Sequence, residues 1–224
     1  MATNTIIFEE GEGTSGTMAA IITAGGGTNY DASQPVVIDC YSRGEGGSDG
    51  GAGGGFARKT LTPNPAHEFT LDPHDGDQAF LINSTTEEMV VRAYRAGYDG
   101  PGTPGYGETG DLLNTGGAGG ENYSGNDRMR GGGGGGAGPN SDGSDGEDGT
   151  EFAGGAGGAG GGGLAGAGGT GATDGGAGAT AGANYGGGGG KNTDANYGPA
   201  AISITYTLLA VGGVGAMMLT GVGK

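Results

Sequence analysis

Aspartates at a fixed spacing form the most regular pattern of reactive side chains in the sequence. In SDGSDGEDGTE, Asp142, Asp145 and Asp148 recur at every third residue. In an extended left-handed helix with three residues per turn and a rise of about 3.1 Å, these carboxylates fall on one edge, about 9 Å apart. That spacing is too wide for one Ca²⁺, whose oxygen ligands lie about 2.3 to 2.6 Å away. Two interpretations stay open: calcium shared with a neighbouring helix or loop, and a solvated acidic edge.

The remaining candidates for catalysis or metal binding are few. His67 and His74 flank a strand and a turn, and no Ser, Cys or carboxylate around them matches a catalytic pattern. The stretch DPHDGD (72–77) is typical of a hairpin turn, with a metal site as the alternative. Glycine runs satisfy GxGxxG by chance, without the strand-to-helix context of a nucleotide site. We therefore expect no enzymatic activity, and no cofactor apart from the calcium considered above.

The net charge argues against one class of partner, and the cysteine content excludes an internal disulfide. The chain has 9 Lys and Arg against 25 Asp and Glu, a net charge of -16, which is the wrong sign for a nucleic-acid binder. Cys40 is the single cysteine, so no disulfide forms within the chain. Its context, VVIDCYS, favours a small buried strand residue over a reactive thiol.

The elements that must position these residues begin with short strands. Seven stretches rich in β-branched and aromatic residues are each bounded by Gly, Pro, Asn or Asp, a spacing typical of an antiparallel sandwich. They lie at 4–8, 17–23, 35–42, 56–62, 67–72, 78–83 and 88–94. No stretch shows a sustained 3.6-residue apolar period, so we expect almost no α-helix.

Glycine dominates the chain from residue 97 onward. The chain has 63 glycines, and in GGAGGAGGGGLAGAGGTG (154–171) glycine occupies every third position from 154 to 169. Collagen shares this period but needs frequent proline, and none occurs between Pro139 and Pro199. The other structure with three residues per turn is a polyglycine helix of the polyproline II type. Its outward N–H and C=O groups can pair with neighbouring copies. We expect a bundle of polyglycine II helices at 97–198.

Three parts follow from these patterns: a β-rich domain at 1–96, the glycine-rich bundle at 97–198, and a C-terminal strand with an apolar tail at 199–224. The strand is predicted within AISITYTLLAV. The uncharged run that continues to Lys224 is long enough to span a bilayer, but it is diluted by glycine. We favour docking of this tail to protein, with membrane contact as the alternative.

Larger side chains interrupt the glycine tracts at three places, GTPGYGETGDLLN, ENYSGNDRMR and KNTDANYG. On a bundle almost without side chains, such interruptions form the ends or rims. We expect contacts with a receptor or subunit, or alternatively tyrosines that plug the bundle ends. The candidate residues are Tyr106, Tyr123, Arg128, Arg130, Tyr185, Lys191 and Tyr197.

The stretch VVIDCYSRGEGGSDGGAGGGFARKTLTPNPAHEFTL, together with the closing YGGGGGKNTDANYGPAAISITYT, resembles the glycine-rich domains of bacteriophage tail and virion proteins. The match is one of pattern and covers roughly 35–207. The distal adhesins of T-even-like tail fibres are similar in packing polyglycine helices. This chain departs from them in its aromatic-poor loops and its apolar tail.

The resemblance implies a non-enzymatic virion protein on the particle surface, outside the cell, as a fibre, decoration or adhesin protein. Its implied partners are other virion proteins, further copies of itself and a host-surface receptor. Two alternatives are an extracellular ice-binding or matrix protein, since flat glycine arrays with small side chains can order water, and a membrane-anchored surface protein held by residues 200–222.

Overall fold

Two antiparallel sheets form the body of the protein. The structure is a computed structural model, and it describes residues 1–46, 50–75, 77–97, 103–121, 131–151, 153, 155–169, 185–189 and 197–209. The elements in chain order are β1 Thr3–Glu9, β2 Thr14–Thr17, α1 Met18–Ala24, β3 Val36–Tyr41, β4 Phe56–Leu61, β5 Glu68–Asp75, β6 Gln78–Asn83, β7 Glu88–Tyr94, β8 Gly107–Thr109, β9 Leu112–Asn114 and β10 Ala201–Thr207.

Each sheet has five strands. Sheet A has the order β1-β10-β3-β4-β9, and sheet B has the order β2-β5-β6-β7-β8. All pairings between these strands are antiparallel. The expected all-β architecture is therefore confirmed. Strands β8 and β9 lie inside the span 97–198, and they pair with β7 and β4.

One apolar core lies between the sheets. Ile38 and Ile204 of sheet A, Leu71 and Leu81 of sheet B, and Ile21 of α1 are fully buried in the same cluster. In β1, the buried Ile6 and Phe8 alternate with exposed residues, as expected for a strand with one face on the core. Burial of each large apolar side chain contributes about 1.5 to 3 kcal/mol, so the sandwich supplies stability that glycine alone does not.

The prediction of a strand at 17–23 was wrong, because residues Met18–Ala24 form the helix α1. The apolar residues Met18, Ile21 and Ile22 have the i, i+3, i+4 spacing of a helix face, and all three are buried. The Thr17 hydroxyl accepts the N–H of Ala20, which caps the helix start. The pattern was too short to register as a sustained period. No helix in the described ranges has the length and apolar character that crossing a bilayer requires.

The described residues of the stretch 72–77 lie at the end of the hairpin formed by β5 and β6. Strand β5 runs through Pro73 to Asp75, with a register shift between Asp72 and Asp75, and Asp75 pairs with Gln78 at the start of β6. The Asp77 carboxylate forms an ion pair with Arg95 at 2.6 Å. Residues Asp72–Asp75 are therefore strand, and the predicted turn begins only after Asp75, with Asp77 in a turn.

Candidate binding surface

Seven glycine-rich segments pack side by side on one end of the sandwich, and we call them the glycine-rich array. They comprise residues 50–55, 115–121, 131–138, 141–149, 155–161, 164–169 and 185–189. Backbone hydrogen bonds join the segments, with N···O distances mostly between 2.7 and 3.2 Å. Apolar side chains are almost absent from these interfaces, so backbone pairing takes their place.

Segment 131–138 is the centre of the array. Its N–H groups point to three neighbouring segments in strict rotation, and the same neighbour recurs at every third residue. The acceptors of the N–H groups of residues 132 to 138 are, in order, Glu147, Gly169, Gly51, Ser144, Gly166, Gly54 and Ser141. Each turn of the segment thus donates once to each neighbour.

The carbonyl groups of the central segment rotate in the same way toward three other segments. The donors to the carbonyls of residues 132 to 136 are, in order, Gly120, Gly158, Gly188, Gly117 and Gly161. Counting both kinds of bond, segment 131–138 contacts six neighbours. Its interior backbone groups are therefore satisfied without side chains, as buried polar groups must be.

The close approach of neighbouring segments explains why positions in the central segment are glycine. A methyl group on Gly134 would overlap the carbonyl of Gly117, and one on Gly135 would overlap the carbonyl of Ala159. These neighbours are rigid backbone atoms, not flexible side-chain ends. The spacing between segments depends on the missing Cβ atoms.

An apolar cluster joins the array to sheet A. Ala137, the one non-glycine residue of the central segment, is 2% exposed and packs with Tyr41 and Phe56. The Tyr41 and Phe56 ring centroids are 5.0 Å apart, and Leu164 packs against the same cluster. This cluster marks the base of the array.

Tyr185, one of the predicted contact tyrosines, lies near the end of β1. The Tyr185 hydroxyl donates to Glu9 Oε1 at 2.9 Å, and its ring centroid is 6.4 Å from that of Tyr41. Burial and then the Glu9 hydrogen bond raise the pKa of Tyr185 to about 12. Burial and then the Asp39 charge raise the pKa of Tyr41 to about 12.

Tyr197 joins the same region through Arg43. The Arg43 guanidinium lies over the Tyr197 ring at 4.6 Å from the centroid and donates to its hydroxyl at 3.1 Å. Arg43 also lies 3.7 Å from the Glu10 carboxylate. Such a cation–π contact contributes about 0.5 to 1 kcal/mol near the surface. Tyr185 and Tyr197 therefore both tie the glycine-rich part to the β1 end.

Tyr106 occupies a different place. Its ring lies 5.2 Å from that of Tyr94, and the two residues exchange backbone hydrogen bonds. Its ring is half-buried between β7 and the entry to β8. Of the four candidate tyrosines, the three that the structure describes all pack against other parts of the chain.

Tyr123, Arg128, Arg130 and Lys191 lie outside the described residues. The segments that lead to them lie beside one another at the ends opposite to those that contact the apolar cluster. Gly120 pairs with Gly132 and Gly50, and Gly51 pairs with Gly189. We call this end of the array the tip; in the sequence, residues 47–49, 122–130 and 190–196 adjoin the segments that end there.

The acidic repeat runs along the edge of the array. Each aspartate accepts one backbone N–H through its Oδ1 atom, at 2.7 Å. The donors to Asp142, Asp145 and Asp148 are, in order, Thr115, Ala118 and Glu121. The glycine after each aspartate donates its N–H to the carbonyl of the same partner residue at 2.8 to 2.9 Å. Each Asp-Gly pair thus binds both backbone groups of one residue in segment 115–121.

The first residue of each triplet has a role that the sequence analysis did not assign. The carbonyls of Ser144 and Glu147 accept N–H groups from the central segment, and their own N–H groups donate to Ala159 and Ala156. The repeat therefore contacts three neighbouring segments: the first residue of each triplet binds 131–138 and 155–161, and the Asp and Gly bind 115–121. The period of three was the available signal, but it did not specify the partners.

His67 and Cys40, considered above for metal or thiol chemistry, are held in the described part of the chain by hydrogen bonds and by burial. No group of three or more His, Cys, Asp or Glu side chains described there is arranged to hold a metal ion. The His67 ring lies 2.9 Å from the Asn83 amide and 3.2 Å from that of Asn64. Cys40 is fully buried in β3, as predicted, and burial raises the pKa of its thiol well above the ordinary value.

No protein-family model, curated protein or solved structure matches this chain.

Proposed function

We propose that this protein is a non-enzymatic structural and binding component of a bacteriophage virion, exposed on the particle as a fibre, decoration or adhesin protein. The observation that carries the proposal is the six-neighbour pairing of segment 131–138, which provides a stiff support almost without side chains. Its sequence resembles the glycine-rich domains of tail and virion proteins. The protein acts as a homo-oligomer docked to other virion proteins.

In this proposal the array is a bundle of left-handed polyglycine II helices. Rotation of both the N–H and the C=O groups through three neighbours in three residues is the pattern that three residues per turn produces. A net hydrogen bond contributes about 0.5 to 1.5 kcal/mol, while fixing a residue costs about 1 to 2 kcal/mol. The bundle is therefore marginal alone, and the apolar cluster around Tyr41 and Phe56 anchors it.

The tip is the proposed contact surface for a host receptor or a neighbouring subunit. Chain connectivity attaches Arg130 to Gly131 and brings Lys191 within two residues of Gly189, and both glycines belong to segments that end at the tip. Arginine and tyrosine are the residue types that most often dominate binding energy. Because the chain as a whole has a net charge of -16, we expect a partner that engages these cations locally.

Immunogold labelling tests the virion assignment. Antibodies raised against the purified chain are applied to purified particles of the phage that encodes it, and the particles are also analysed by mass spectrometry. The proposal expects gold on the particle surface and peptides of this chain in intact particles. Absence of the chain from washed particles would overturn it.

An ice-binding or matrix role is the second candidate, favoured by one observation. Ala153, Ala156 and Ala159 are exposed at a three-residue spacing on the outside of the array. A regular surface of small side chains is the feature that this role requires. Thermal hysteresis of the purified protein would favour it over the virion role, and freezing behaviour equal to that of a control protein would reject it.

A further inference from the structure

Segments 115–121 and 141–149 are joined more extensively than other neighbours in the array. Segments 131–138 and 155–161 share one row of backbone bonds, from Gly158 and Gly161 to the central segment. Between 115–121 and 141–149, by contrast, the backbone row is accompanied by a second row formed by the three aspartate side chains.

The hydrogen bonds to the aspartate side chains use backbone N–H groups that face the surface. Thr115 and Glu121 are exposed and Ala118 is half-buried. Their N–H groups recur at every third residue, the spacing at which N–H groups of the central segment reach a further polypeptide segment. At this edge, an aspartate carboxylate takes the place of that segment's carbonyl.

We propose that Asp142, Asp145 and Asp148 close this edge of the array against pairing with a second copy of the chain. A row of unpaired N–H groups is a template for another chain, as it is at the edge of a β-sheet. A second copy offers the matching row, because the carbonyls of Gly143 and Gly146 accept no hydrogen bond among the described residues. This inference goes beyond the proposed function and does not depend on it.

The same device occurs at the edges of the sandwich. Glu12 Oε2 accepts the N–H of Glu9 at the end of the edge strand β1, at 2.8 Å. Asp111 Oδ2 accepts the N–H of Thr60, also at 2.8 Å, where β4 continues beyond the register of β9. Side-chain carboxylates thus take up outward backbone donors at three separate edges. Part of the acidity of the chain has this structural use.

Sedimentation velocity over a range of concentrations tests the proposal with three variants of the full chain. The triple variant Asp142→Ala, Asp145→Ala, Asp148→Ala removes the acceptors, and the triple Asn variant keeps an acceptor oxygen while removing the charges. The control variant Glu68→Ala, Glu88→Ala, Glu151→Ala removes three exposed charges elsewhere. We expect self-association at least about tenfold tighter than wild type for the triple Ala variant alone.

Two results would overturn the proposal. One is a triple Ala variant that is folded and shows faster amide exchange at residues 115, 118 and 121, yet associates no more than wild type. The other is equal association of the Asn or control variants, which would indicate a general charge effect. If the triple Ala variant does not fold, the single variant Asp145→Ala is tested in the same way, and unchanged association of that variant would equally reject the proposal.

Discussion

Asp145 and Ala118 form a two-point contact: the carboxylate accepts the Ala118 N–H at 2.7 Å, and the next residue, Gly146, donates to the Ala118 carbonyl at 2.9 Å. The contact repeats one triplet before and one triplet after. It shows how a sequence period of three becomes a specific pairing between two segments.

Replacing Asp145 with Ala should raise the amide exchange rate of Ala118. The Gly117 N–H, which donates to Gly135, should stay slow and serves as the internal control. Because the contact is exposed, water replaces the lost acceptor, and we expect the free energy of unfolding to fall by no more than about 1 kcal/mol. Exchange by NMR measures both amides, and an unchanged rate at Ala118 would contradict the assigned bond.

Gly134→Ala should destabilise the protein severely, by about 3 kcal/mol or more, because the new methyl group overlaps the rigid carbonyl of Gly117. Gly13→Ala is the matched control. Its new methyl group would lie 3.6 Å from the nearest atoms, in ordinary contact, and its effect should stay within about 0.5 kcal/mol. Chemical denaturation compares the two variants. Equal stability would show that the close approach of the segments is not required.

Stability should fall as the pH rises from about 10 to about 12. An unfolded tyrosine ionises near pH 10, whereas the pKa values of Tyr41 and Tyr185 are raised to about 12 in the folded chain. In this window the unfolded state binds fewer protons, so the free energy of unfolding decreases with pH. The buried Cys40 thiol also has a raised pKa, so it is replaced by Ala in the proteins compared. In that background, the Tyr41→Phe, Tyr185→Phe variant should lose less unfolding free energy between about pH 10 and about pH 12. Part of the decrease should remain, because burial also raises the pKa of Tyr30.

The Cys40 thiol should not react with a thiol reagent in the native protein. Its side chain is fully buried, and the raised pKa of the thiol leaves little thiolate at neutral pH. Reaction should become complete on addition of denaturant. Rapid labelling of the native chain, at a rate close to that of the denatured chain, would show that β3 is exposed.

The sequence predicted the strands well where β-branched residues alternate between turn residues, as in β3 and β10. The strand prediction failed at α1, a helix of about two turns. Three apolar residues on one face and a threonine cap stabilise this helix. Strands β8 and β9 have three residues each, too few for a period, and their pairing with β7 and β4 is set by tertiary contact.

Prediction of the candidate site was similarly divided. The period of three placed Asp142, Asp145 and Asp148 on one edge, and the structure brings them to one neighbouring segment. The partner Thr115 could not be identified from spacing, because any backbone N–H group can serve. Nor could the sequence distinguish tyrosines that face a partner from those that pack inward, such as Tyr185 against Glu9.

Amide hydrogen exchange of the isolated chain across residues 131–138 tests whether backbone pairing orders the central segment. A backbone-paired central segment predicts slow exchange at every amide from Gly132 to Gly138, comparable with that of the strands β3 and β6. Exchange at the rate of an unstructured peptide in this segment, with β3 and β6 still protected, would show that the central segment is not held by backbone pairing.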